Sequence, residues 1–249
     1  MLTWFGSAKN VVLVVLTVGI TSGIYARSIG TNEHQADSNK GVLSDRLSRD
    51  QQKTWKSIQQ IIYAEDEEGK PLHPTLKRLL EQLETSNHTV HVEFLGEASR
   101  CDCIAGAFWI ERFDPRGKEH VASIKLYLKT IDQAALSPSV QNNGESIDLA
   151  RLNKVARYAE VFGHEMAHAT DILFDLQRAR MMYEFIEGTD QVVHDSVLLK
   201  SGEGRAQLQR VIAEREAVLN DFEISAQTIE TQIWRELINV YRRHKSEKD

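Results

Sequence analysis

The sequence predicts an α+β fold: a small, mainly antiparallel sheet packed on one long helix, with a helical subdomain at the C-terminal end. Three observations predict it. In Thr89 to Leu95 and again in Val121 to Leu128 apolar residues recur at every second position, the period of a strand. From Arg151 to Leu173 they recur at steps of three and four, the period of a helix buried along a broad face. That helical period returns from Arg205 almost to the C-terminus. Strands grouped ahead of long helices are the α+β order rather than a regular α/β alternation. A chain of 249 residues suits one domain with an appendage. With 41% apolar and 27% charged residues it is not wholly disordered, and 14 Gly and 4 Pro exclude a low-complexity chain. A net charge of −6 offers no general basic surface, so nucleic acid is not an expected partner.

Residues 1–26 read as an address. The apolar run Val11-Val12-Leu13-Val14-Val15-Leu16-Thr17-Val18-Gly19-Ile20 follows Lys9 and precedes Arg27 and Ser28. That layout is a signal peptide or, if retained, a single-pass membrane anchor. Val11 to Tyr25 is somewhat short against the roughly 20 apolar residues of a spanning helix, a mismatch that local bilayer thinning can absorb. The charge bias leaves the bulk of the chain outside the cytoplasm. The expected location is therefore the periplasm or cell surface, with residues 11–25 as the candidate inner-membrane anchor. Residues 27–50, rich in Ser, Asp, Asn and Arg, read as a flexible linker, and 51–249 as the folded domain.

Along the body, Trp55, Ile58, Ile61 and Ile62 predict a helix over 50–63, and Leu76, Leu79, Leu80 and Leu83 a second from Pro74. Thr89 to Leu95, Ile104 to Phe113 and Val121 to Leu128 read as strands, the last two joined by the turn Asp114-Pro115-Arg116-Gly117. Val121 to Leu128 is a candidate edge along which a peptide could lie as an added strand; it reads equally well as a core strand. Ser137 to Gly144 is loop-like, and Ser146 or Asp148 could cap the helix that follows. That helix carries the stripe Leu152, Val155, Ala156, Ala159, Phe162, Met166, Ala169 and Leu173.

Within it stands His164-Glu165-Met166-Ala167-His168, the pattern H-E-x-x-H. Residues i and i+4 stack on one helix face, so two imidazoles can grip one Zn²⁺ at roughly 2.0–2.1 Å. Glu165, one position on, can reach a water activated by the metal and serve as general base. The segment His164 to Asp171 resembles the active-site helix of zincin metallopeptidases. The likeness covers this segment and one further helix; elsewhere it lies in the order of elements. The resemblance implies a zinc-dependent endopeptidase acting on peptides or proteins. In it His164 and His168 are zinc ligands, Glu165 is the catalytic base, and Asp171 is a supporting carboxylate or a packing residue. The extended H-E-x-x-H-x-x-G-x-x-H form is absent, since Asp171 and Phe174 stand where it has Gly and His.

A third ligand must then come from elsewhere. In the gluzincin-type families it is a Glu on a later helix, and Glu223, in Phe222-Glu223-Ile224-Ser225-Ala226, is the favoured candidate. It borders the apolar stripe, where an unpaired carboxylate would be costly. Glu216 and Glu230 share its face at seven-residue spacing, and Glu230 and Asp171 remain alternatives. A further proton donor could be Tyr158, Tyr183, His194 or Tyr241. His34, His73, His88, His91, His120 and His194 lack ligand spacing and read as surface or loop residues. Cys101 and Cys103 read as plain thiols or a strained pair. The rival reading is a catalytically silent, peptidase-like envelope protein that binds or regulates; an intact Glu165 argues against it.

Overall fold

A computed structural model describes residues 40–96, 105–134, 140–142, 145–147, 152–184 and 220–240. The expected signal or anchor at 1–26 and both cysteines lie outside these residues. Among the described residues no helix is long and apolar enough to cross a membrane.

The fold is α+β. A short strand β1 (Gly41–Leu43) leads into helix α1 (Arg49–Ile62), then α2 (Pro74–Glu84) and the strands β2 (Thr89–Leu95), β3 (Gly106–Arg112) and β4 (Val121–Tyr127). Helix α3 (Leu128–Ala134), a small hairpin of β5 (Val140–Asn142) and β6 (Glu145–Ile147), and the long α4 (Lys154–Leu173) follow. Two further helices span 176–184 (α5) and 220–240 (α6). Ser48 starts α1 with a reciprocal capping box: it accepts from the Gln51 N–H, and the Gln51 side chain accepts from the Ser48 N–H. Ser146 lies in β6 and is not the cap of α4, and Asp148 lies outside the described residues. Asn153 is the cap, its side chain accepting from the Ala156 N–H at 2.8 Å.

The four-stranded sheet runs β1-β2-β4-β3. It is mixed, not mainly antiparallel as expected. β1 pairs with β2, and β2 with β4, in parallel; only the β3–β4 hairpin is antiparallel. Period-2 alternation fixes which face each side chain takes and is blind to the direction of its neighbour. β2 and β3 meet the same end of β4: Leu95 pairs with Tyr127, and Gly106 with Leu126. The sheet's edges are β1 and β3, and Val121 to Tyr127 is interior. The expected linker also ends earlier than residue 50, because Gly41 to Leu43 already pair with Thr89 to His91.

One face of the sheet is the core. Val90, Val92 and Phe94 of β2 and Ala122, Ile124 and Leu126 of β4 are buried with Ile58, Leu79 and Phe162 from the helices. Trp55 meets the Phe162 ring edge-on at 5.0 Å. The opposite face is polar: Arg46 pairs with Glu93 and Glu111, and His91 with Asp45. α4 packs against β3 and β4 on one side and against α1 and α2 on another. Its remaining side faces α6.

Candidate metal centre

Along that seam α4 presents Glu160, His164 and His168, spaced by four and so stacked on one face. α6 answers with Glu230 and Glu223. Close approach of the helices depends on Gly163: a Cβ there would stand 2.5 Å from Leu76 Cδ2 and 2.7 Å from Ile233 Cδ1.

His164 Nε2 and His168 Nε2 are 3.1 Å apart. Glu223 Oε1 is 3.3 Å from His168 Nε2, and Glu223 Oε2 is 3.7 Å from His164 Nε2. Four donors around zinc at roughly 2.0–2.1 Å stand about 3.3 Å apart along each tetrahedral edge. The three separations straddle that value. These residues form the group of convergent donors able to hold a metal among the described residues. Glu223 Oε2 is buried and accepts no hydrogen bond, a costly state for a carboxylate oxygen without a cation. Two nitrogens and a carboxylate are three protein donors, the number of a catalytic rather than a closed four-ligand structural zinc site.

Glu230 is on the other side of His164. Its Oε2 lies 3.5 Å from Nδ1, a charge contact longer than a good hydrogen bond, while Nε2 faces the other two donors. Glu230 is thus behind the ligand rather than a rival to Glu223. Glu160 lies beside it, and burial followed by the Glu230 charge pushes its carboxyl well above the usual range. Two adjacent carboxylates out of water share a proton in this way. Burial opposes ionisation of Glu230 too, but His164 and the Glu160 proton hold it below its ordinary value. Burial likewise works against a charged His164, yet Glu230, Glu165 and Glu223 outweigh it and push the metal-free imidazole up to about 10.

Glu165 is buried, with 5% of its surface exposed. Burial raises its pKa, His164 and His168 pull it down, Glu223 and Glu230 push it up, and the net shift is upward. Its carboxylate rests against edge strand β3 at Gly106. A Cβ at 106 would stand 2.6 Å from Glu165 Oε1 and 2.8 Å from its Cγ. Gly106 carries no motif that could have revealed this; it is a contact across the fold. Tyr127 was also missed. Its phenol is pushed up by burial and then by the charges of Glu165 and Glu93, which puts it within electrostatic reach of the base.

The other candidates are engaged elsewhere. Asp171 accepts from Arg178 at 2.6 Å and is not among the convergent donors. Tyr158 donates to Asp132 at 2.7 Å, and Tyr183 stacks on Phe113 with centroids 5.6 Å apart. Glu216, His194 and Tyr241 lie outside the described residues. The surface reading of the remaining histidines is corrected for three of them: His73, His88 and His120 are buried. His88 Nδ1 accepts from the His120 N–H at 3.2 Å, and His120 Nδ1 from the Asp114 N–H at 3.0 Å. Their rings stack at 5.0 Å, with Phe113 next in the pile.

No protein-family model, curated protein or solved structure matches this chain.

Proposed function

We propose that this chain is a zinc-dependent endopeptidase acting outside the cytoplasm, with a zincin-like, gluzincin-type site. The observation that carries the reading is the convergence of His164 Nε2, His168 Nε2 and Glu223 next to a buried Glu165. A zinc ion held by those three residues supplies a Lewis acid that polarises a peptide carbonyl and makes water nucleophilic near neutral pH. Glu165 accepts the water proton and returns it to the leaving amine. Glu230 supports the reading from behind: its carboxylate, 3.5 Å from Nδ1, favours a proton there electrostatically and so a free lone pair on His164 Nε2. Export rests on the apolar run at 11–20.

The test is zinc content and peptide cleavage measured together on an unfolded protein substrate. The parent carries about one zinc per chain and cleaves. Glu165→Gln keeps the zinc and loses roughly 10²–10⁴-fold in rate, the usual span of a general base. His164→Ala and Glu223→Ala lose the metal. A parent with zinc and no cleavage would instead point to the silent, peptidase-like binder. A parent that takes up no zinc removes both readings.

A further inference from the structure

Glu223 is brought to the two histidines from far along the chain. Among the described residues, a non-covalent link ties the segment just before Glu223 to α4. We propose that Arg178 is a positioning residue for the third donor. It clamps residues 221–222 of α6 to the last turn of α4. The inference rests on the metal reading above.

Three contacts define the clamp. Arg178 Nη2 donates to Asp171 Oδ2 at 2.6 Å, on the last turn of α4 and one turn beyond His168. Arg178 Nη1 donates to Asp221 Oδ2 at 2.9 Å, on α6 two residues before Glu223. The guanidinium also lies 4.4 Å from the centroid of the Phe222 ring, the residue adjoining Glu223. Phe222 is 2% exposed, so its ring is a fixed platform. A planar guanidinium can address two carboxylates in two directions and stack on an aromatic face at once; an ammonium cannot. Asp221 is well exposed and adds little alone, whereas Asp171 and Phe222 are sheltered and carry more. Arg178 also offsets Asp171, whose negative charge sits unfavourably at the C-terminal end of α4.

The opposite end of α6 has its own anchor. Glu236 accepts from the Thr75 hydroxyl at 2.6 Å and from the Thr75 N–H at 3.1 Å, in the first turn of α2. Without Arg178 the helix keeps that anchor and can pivot on it. The Glu223 end then swings while the Glu236 end stays in place.

The experiment compares the full chain with Arg178→Ala and Arg178→Lys by amide hydrogen exchange without metal and by zinc affinity against a competing chelator. In Arg178→Ala, amides of 221–226 exchange faster while those of 233–238 keep their protection. Zinc binding weakens by roughly ten- to a hundredfold, the usual cost of losing a residue that orients ligands. Arg178→Lys falls between parent and Ala. Unchanged exchange at 221–226 overturns the clamp. Faster exchange with unaltered zinc affinity overturns its role in placing Glu223. A parent that binds no zinc overturns the metal reading and the ligand-placing role with it, while exchange still judges the clamp. If Arg178→Ala does not fold, Asp171→Asn removes the anchor on α4 and is judged by the same two measurements.

Discussion

Helix α4 has two sides built from opposite materials. Toward the sheet and α1 it buries Phe162, Met166 and Ile172 among apolar neighbours such as Trp55 and Ile124. Toward α6 it carries Glu160, His164 and His168 against Glu230 and Glu223, all of them ionisable and largely out of water. The first side gains from removing hydrocarbon from water, on the order of 25 cal/mol per Å². The second gains nothing from that source and pays desolvation for every charge. Its carboxylates need positive charge beside them: without metal the charged form of His164 supplies it, and a cation between the Nε2 atoms and Glu223 would do so on the metal reading. The two faces of one helix thus differ in what holds them.

The largest effect that separates the two sides is Phe162→Ala. It removes a fully buried ring and should lower the unfolding free energy by about 3–5 kcal/mol, read from urea titration. Zinc bound per folded chain should not change. A fall in zinc affinity as large as the fall in stability would break the separation.

Titration should sharpen it. Burial pushes the His73 pKa down to about 4. The unfolded chain then binds more protons between about 6.5 and 4, so the His73 contribution is complete above that window and is lost as the pH falls through it. His88 is lowered by burial and the nearby His120, and His120 by burial; Asp114 opposes both shifts, and both act in the same direction as His73. His164 acts oppositely in the metal-free protein, because its raised pKa gives stability at low pH that is lost as the pH rises toward 10. Comparing the parent with His73→Asn cancels the seam. The parent should lose about 1–2 kcal/mol more than the variant between pH 7.5 and pH 5. An identical loss in both would mean that His73 is not held neutral by burial.

The smallest effect lies where the two sides meet. Gly106→Ala puts a methyl where the Glu165 carboxylate rests, so it should move the base and leave zinc binding alone. Turnover should drop about tenfold, near 1.4 kcal/mol, with KM little altered. Full turnover would show that Glu165 has a second place to sit.

How legible each part was in the sequence follows from how local its signal is. His164, Glu165 and His168 fall within two turns of one helix, so spacing alone aligned them. Glu223 was legible because a carboxylate beside Leu219, Phe222 and Ala226 demands an explanation. Glu160 and Glu230 meet only when two helices pack, and each alone looks like an ordinary solvated glutamate. Gly106 is defined by what it lacks, and nothing beside it in the chain names Glu165 as its neighbour. The helices α1, α2 and α4 and the strands β2, β3 and β4 followed from periodicity to within a few residues. β1 was missed because three residues are too few to show a period, and the parallel pairing of β2 with β4 that makes the sheet mixed leaves no mark on either strand's period.

One consequence concerns the order in which the chain is made. Synthesis runs from the N-terminus, and the strands and α4 are complete before any residue of α6 exists. For that interval His164, His168 and Glu165 belong to a chain with two donors and no third. A product cut anywhere within 185–219 would keep the whole H-E-x-x-H helix and lack Glu223, Glu230 and the partners of Arg178 on α6. On the metal reading the motif by itself would be an unarmed half-site, and α6, made later than α4, would be the helix that arms it.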